Sequence, residues 1–260
     1  MPTVCGAVIA RDEEKNIERC LRSLKWADTM LVVMDDRTVD ATASIAESCG
    51  AAVEVRPFLD YARQRNAALD AARSDWVLFV DADEVVTPEL ALEVQRMAAN
   101  SDAAGYWIPR KNILFGQWIR HAGWSPDYQL RLLRRSRARY QEERTVHELV
   151  DLDGEAGYLS NVLVHYNYET LRQFIVKQRV YASMTAADMY RRGIRVKPQN
   201  YLLQPWRQFW RRYVLLQGYR DGRLGLLLSA LLAYYEFKTY VQLRGFWRSS
   251  AGIASPRVSP

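Results

Sequence analysis

Two carboxylates separated by one small residue, Asp81-Ala82-Asp83, follow directly on the apolar run Trp76 to Val80. Mg²⁺ and Mn²⁺ take oxygen ligands, keep several waters and commonly bind one or two carboxylates plus substrate phosphates. The pair therefore suits a diphosphate-bearing substrate. Asp12 and Glu13 follow a first apolar run, Val4 to Ala10, and Asp35 and Asp36 follow a second that begins at Met30. Polar residues punctuate strand ends whatever the function. Three acidic clusters brought to one edge would mark a site.

The elements that must position these clusters are legible in the spacing. Ile17, Cys20, Leu21 and Leu24 recur at i, i+3, i+4 and i+7, the pattern of one helix face. A strand at Met30 to Asp35 follows, then a helix around Thr42 to Ser48 closed by Gly50, a strand near Val53, and a helix from Tyr61 to Arg73. After Trp76 to Val80, Thr87 and Pro88 supply an N-cap and a first-turn proline for a helix to about Ala99. Strand and helix alternating in this way predict an α/β fold with a mostly parallel, doubly wound sheet and helices on both faces. Ligands of such sheets sit beyond the carboxyl ends of the strands, where the acidic clusters stand. From Gly105 to about His165 the aromatic, Gly- and Pro-containing text predicts short strands and long loops, suited to an acceptor site.

With 260 residues, 49% of them hydrophobic, the chain can bury a sizeable core. Cys5, Cys20 and Cys49 lack disulfide or metal-ligand spacing and are expected to be buried, reduced thiols. The start Met1-Pro2-Thr3-Val4 enters a strand-like run without an export signal, so a cytoplasmic location is expected. A net charge of +6 calls for an anionic partner. Nucleic acid is disfavoured, because the basic residues form no reader motif.

The segments VIARDEEKNIERCL, VVMDDRTVDAT and ARQRNAALDAARSDWVLFVDADE together resemble glycosyltransferase family 2, whose nucleotide-binding half is a GT-A fold. The continuation GYWIPRKNILFGQWIRHAGWSPDYQLRLLRR, then VHE and His165-Tyr166, resembles a narrower subgroup, the WaaE/KdtX-type lipopolysaccharide-core glucosyltransferases. The resemblance implies residues 1–168 as the GT-A domain, with 1–100 the nucleotide-binding half and 101–168 the acceptor half. It implies a UDP-sugar donor, UDP-glucose by the subgroup, and Mg²⁺ or Mn²⁺. Asp35 would face the nucleobase, Arg65 and Asn66 would approach the nucleotide, Asp81 would lie near the ribose or metal, and Asp83 would be the principal metal ligand. Inverting chemistry requires a general base on the acceptor hydroxyl. Asp127 is the choice, with Glu148 its competitor and Glu142 and Glu143 outsiders. His147 is a candidate to complete the metal shell or to donate to the diphosphate, ahead of His121 and His165. Arg131, Arg134 and Arg135 are candidates for a diphosphate clamp. Two departures stand out: Asp12 replaces the usual Asn, and Asp35 to Asp40 replace a Gly- and Ser-rich loop.

Residues 169–248 read as a helical, amphipathic region with a break at Gly193 to Pro205, and 249–260 as a flexible tail. Trp206, Phe209, Trp210 and Tyr213 interleave with Arg207, Arg211 and Arg212, a composition suited to an anionic membrane surface. The apolar run Leu224 to Tyr235 falls short of the ~20 residues that span a bilayer. The expected partners are therefore a nucleotide sugar, a glycolipid acceptor and the cytoplasmic face of the inner membrane. The same helices also suit packing on the catalytic domain or pairing of two copies. A nucleotidyltransferase and a noncatalytic glycan- or lipid-binding module are the competing readings; against the first, ARDEEKN stands where a Gly-rich phosphate loop would be.

Overall fold

The computed structural model describes residues 1–142 and 149–253. The chain divides into two compact units, Met1–Lys111 with Pro126–Asn167, and Asn112–Ser125 with the chain from Tyr168 onward.

The first unit begins with β1 (Val4–Ala10), α1 (Ile17–Arg22), β2 (Thr29–Asp35), α2 (Thr42–Ser48), β3 (Ala52–Arg56), α3 (Tyr61–Ala71) and β4 (Trp76–Asp81). β5 (Glu84–Val86), α4 (Pro88–Asn100) and β6 (Gly105–Leu114) follow. β3, β2, β1 and β4 are parallel neighbours in that order. Antiparallel strands then extend the sheet: β8 (Tyr128–Arg134) lies on β4 and β6 on β8, and beyond these come β12 (Leu163–Tyr168) and β5. β7 (Gln117–Trp118) and β11 (Ala156–Tyr158) also pair with β6, while β9 (Ala138–Tyr140) and β10 (Val150–Leu152) form a separate hairpin-like pair.

Period-two alternation along the central strands feeds two apolar layers. Val8, Val32, Leu78 and Val80 pack with Ile17, Leu21 and Leu24, with Ala46 of α2, and with Leu90 and Val94 of α4. Ala7, Val33, Val77 and Phe79 face the other way, toward Ala62, Ala68 and Leu69 of α3. Helices thus cover both faces, as expected for a GT-A fold. Each fully buried aliphatic side chain here contributes roughly 1.5–3 kcal/mol. Local signals set the ends: Thr87 accepts from the Leu90 amide with Pro88 at the first turn, and Gly50 follows α2 at φ +87°.

Between Gly105 and His165 the expected short strands are present, since β7 has two residues and β9, β10 and β11 three each, but the text after Gly105 forms one long strand, the ten-residue β6. Pro109 is accommodated because its register partner, Tyr128, opens β8, and the ladder already shifts register between Tyr106 and Trp107.

The second unit is helical: α5 (Leu171–Arg191), α6 (Asn200–Trp210) and α7 (Gly222–Ile253). Thr170 and Gln173 form a capping box that starts α5. Gly193, at φ +73°, follows its end, but Pro205 lies inside α6 and does not break it. α6 passes into a π-helical turn, Arg211–Leu215. Leu114, Ile119, Tyr168, Phe174 and Leu228 form the core. α7 continues past Ser249 to Ile253. Among the described residues no helix is long and apolar enough to cross a membrane.

Candidate active site

The parallel register aligns the three strand ends. Ile9 pairs with Asp81 and Ala10 with Met34, so Arg11, Asp35 and Asp81 leave the sheet at one carboxyl edge. β2 and β4 flank β1, which places their ends about 10 Å apart. That span suits a nucleoside diphosphate lying across the edge.

Asp35 is buried and bound by arginine. Arg37 Nε lies 3.0 Å from its Oδ1 and Arg37 Nη2 2.8 Å from Oδ2, while Arg11 Nη1 stands 3.4 Å away. The Arg37 hydrogen bonds hold this carboxyl well below the usual carboxylate range. The two unusual loops interlock: Asp12, at φ +52°, accepts from the Val39 amide, Glu14 accepts from Ala41, and Asp40 accepts from Glu14 and Thr42. Carboxylates thus take over loop closure where a Gly- and Ser-rich turn was expected.

Asp81 meets Arg131 through two contacts, Nη1 to Oδ1 at 3.0 Å and Nη2 to Oδ2, and Arg65 Nη2 lies 3.2 Å from Oδ1. Burial works to raise its pKa, but the Arg131 and Arg65 charges outweigh it and lower it. Arg65 is steadied over the rings of Phe79 and Tyr140. Behind Asp81 lies Glu84, which is fully buried and accepts the Asp81 amide at 2.8 Å. Arg110 reaches Glu84 at 3.4 Å and Arg131 reaches it at 3.6 Å. Burial and the neighbouring Asp81 charge push Glu84 up despite these arginines. Arg110 continues the chain of charges to Asp127, with Nε at 2.9 Å and Nη2 at 2.8 Å from Oδ2, and Gln129 Nε2 donates to Oδ1 at 2.8 Å. Asp127 is thereby oriented from both oxygens.

Asp83 stands two residues beyond Asp81. His165 Nε2 is 3.3 Å from its Oδ2, and the Tyr166 amide donates to its carbonyl at 2.9 Å. Arg19 lies 4.0 Å over the Tyr166 ring. Among the described residues no group of three or more His, Cys, Asp or Glu forms a ready cation cage. The donor set fits a hard cation held by the Asp83 carboxylate, with water and substrate phosphates completing its shell. Asp81, expected to share that task, is instead the ion-pair partner of two arginines.

The sequence profile of glycosyl transferase family 2 matches residues 7–166. The chain belongs to glycosyl transferase family 2. It is 27% identical over 248 residues to the lipopolysaccharide core biosynthesis glycosyltransferase LpsC of Rhizobium meliloti, covering 91% of this chain and 90% of that protein. An uncharacterized glycosyltransferase of Rickettsia bellii is 26% identical over 258 residues, with 93% and 86% covered. The mannosyltransferase PcManGT of Pyrobaculum calidifontis, solved with GDP-Man and Mn²⁺, shares the fold at a TM-score of 0.54 and 13% identity over 93% of this chain and 87% of that one. Family membership sets the nucleotidyltransferase reading aside.

Within this family 2 chain the expected site residues divide. Asp35, Arg65, Asp81, Asp83 and Asp127 belong to the arrangement just described. Asn66 is occupied elsewhere: its amide exchanges hydrogen bonds with the Tyr140 backbone at 3.0 and 2.9 Å and donates to Glu142, so it fastens β9 to α3. Arg131 reaches the site, but Trp76 pairs with Arg134 at the opposite end of β4. Arg134 and Arg135 there bind the carbonyls of Ser101, Ala103 and Ser74. His121 pairs with Asp221 in the second unit at 3.0 Å. Glu143, His147 and Glu148 lie outside the described residues. Two residues were missed, Glu84 and Arg110. Glu84 was visible in the acidic run, but a fully buried glutamate runs against the usual exposure of that residue type. All three cysteines are free, but only Cys5 and Cys20 are buried as expected, Cys49 being half-buried at the end of α2; burial pushes the Cys20 thiol up.

Proposed function

We propose that this family 2 enzyme transfers a hexose, glucose from UDP-glucose in the subgroup reading, onto a lipopolysaccharide core or related cell-envelope glycolipid, with inversion at the anomeric carbon. The observation that carries the proposal is the alignment of Asp35 and Asp81 at one sheet edge, with Asp83 two residues past the end of β4 and Asp127 joined to that edge through Arg110 and Glu84. The name of the Rhizobium relative supports the class of acceptor, and the nucleotide sugar and Mn²⁺ of the Pyrobaculum structure support a donor and cation of that kind.

In this reading Asp35 meets the nucleobase and Arg65 the nucleotide. The acceptor hydroxyl oxygen bonds to the anomeric carbon as the bond from that carbon to the diphosphate breaks. The electron pair leaves with the nucleoside diphosphate, and the hydroxyl proton passes to the Asp127 carboxylate. Arg110 and Gln129 hold that carboxylate in one orientation. Asp83 would hold a Mg²⁺ or Mn²⁺, which when bound would supply charge neutralisation to the diphosphate. A glycolipid acceptor places the enzyme at the cytoplasmic face of the inner membrane as a peripheral protein.

The test is thermal denaturation with a panel of nucleotide sugars, with and without Mn²⁺, paired with transfer from labelled UDP-glucose. UDP-glucose with Mn²⁺ should stabilise the fold by about 2.7 kcal/mol at a hundredfold excess over Kd. Asp83→Ala should abolish both the Mn²⁺-dependent part and the transfer. A panel in which no nucleotide sugar raises Tm rejects the reading.

A further inference from the structure

The charge of this chain is unevenly placed. Residues 189–220 hold eight Lys or Arg and no Asp or Glu, against a net charge of +6 for the whole chain. The remainder is therefore net negative. Every unit of excess positive charge sits on α6 and the segments that flank it.

α6 itself has no buried residue. Leu202, Leu203, Trp206 and Trp210 are 78%, 53%, 58% and 45% exposed. At ~100° per residue these four positions fall within roughly 100° of the helix circumference, a single apolar face. Arg207 and Arg211 are exposed beside that face, and Leu215 and Tyr219 further along the chain are exposed as well. The Trp206 and Trp210 rings are 5.7 Å apart, and with Arg207 and Arg211 they line a groove of about 380 Å³ whose far wall includes Glu236. Arg212 belongs to the interior, donating to the Ala122 carbonyl at 2.7 Å.

We infer that α6 is an in-plane docking helix for an anionic lipid surface. Charge complementarity names the occupant: a cation-rich, acid-free segment attracts an anionic bilayer at about 1 kcal/mol per Lys or Arg near the surface. Tryptophan and leucine on the same face supply the apolar insertion, to a depth of about 5–10 Å, that a purely electrostatic partner such as RNA would not use. The inference rests on the membrane-acceptor reading above and specifies the surface that serves it.

The full chain is sedimented with vesicles of phosphatidylcholine alone and of phosphatidylcholine with phosphatidylglycerol, at low and high salt. Binding is expected only to the anionic vesicles and should weaken with salt. Trp206→Gln with Trp210→Gln, and separately Arg207→Gln with Arg211→Gln, should each weaken it about tenfold or more. Circular dichroism and the nucleotide-sugar thermal shift of both variants should match the parent, separating lost docking from lost folding. Equal binding to neutral vesicles, aromatic variants that bind as the parent does, tighter binding to RNA than to vesicles, or a dimer that dissociates on Trp206→Gln with Trp210→Gln would each overturn the assignment. A missing donor shift in the parent would count against the enzymatic reading and leave the vesicle result standing.

Discussion

Arg131 binds both carboxylate oxygens of Asp81 across an antiparallel strand pair, and the same guanidinium faces the fully buried Glu84 at 3.6 Å. One arginine thus balances two acids at the edge where the sheet ends. Its removal leaves like charges side by side.

Arg131→Met is expected to lower the unfolding free energy by about 3 kcal/mol, the low end for breaking a buried ion pair. The low end applies because the Asp81 side chain is 35% exposed and keeps Arg65, and Glu84 keeps Arg110. Urea denaturation measures the loss. A change below about 0.5 kcal/mol, the size of an ordinary surface substitution, would mean the pair is energetically idle.

Two acids should respond to pH in opposite senses. Asp81 is depressed in the folded state, so its contribution is present above the unfolded value of about 3.9 and is lost as pH falls through the folded one. Glu84 is raised, so the folded state holds its proton more tightly and loses stability as pH rises from about 4.3 toward the folded value. Glu84→Gln removes the second effect. Relative to the parent, this variant should therefore gain stability between pH 4 and pH 7, in urea midpoints taken across that range; a gain on the acid side instead would reverse the assignment.

The distinction between local and distant signals explains how much could be read in advance. β1, β2, β4 and α1, α2 and α4 follow from periodicity and capping, which neighbours along the chain encode. Residues 105–114 look loop-like because Gly105 and Pro109 are poor strand formers, and pairing with the distant β8 and β11 and with β7 makes them a strand. The acids of the site were legible at strand ends. Their partners were not, because Arg131 lies 50 residues from Asp81 and only the antiparallel register brings it there. Asn66 shows the converse: its sequence position resembled a nucleotide contact, while its amide is occupied by a strand 74 residues away.

In the proposed reading Asp83 is the cation's ligand, and His165 should matter through it, since partners of a ligating carboxylate orient it. His165→Gln is expected to cost about 10–100-fold in activity at limiting Mn²⁺ and less at saturating Mn²⁺. A titration of activity against Mn²⁺ reads this directly. An unshifted titration would leave the histidine a purely structural contact.

Asp127→Asn keeps the shape and the Arg110 neighbour but removes a proton acceptor. Turnover should fall on the order of 10²–10⁴-fold while the nucleotide-sugar thermal shift is retained. Normal kcat would transfer the role of base to another carboxylate.

Two glycines of α7 give a paired test of packing. A Cβ at Gly225 would collide with the Gly218 carbonyl, whereas one at Gly245 meets nothing within 4 Å. Gly225→Ala should destabilise by about 1–3 kcal/mol. Gly245→Ala should add up to about 1 kcal/mol through helix propensity, and matching urea midpoints for the two would contradict the close approach.

The chain passes from one compact unit to the other three times, at 111, 125 and 167. Leu114, Ile119 and Trp124, from the middle excursion, rest on Tyr168, Phe174 and Leu228, which arrive only after the last crossing. Nascent protein emerging from a ribosome therefore holds that excursion without its cover until the final third is made. Gene fusions or domain shuffling that cut the message at codon 168 would release an orphaned apolar loop, so the sheet and its helical companion should be inherited together.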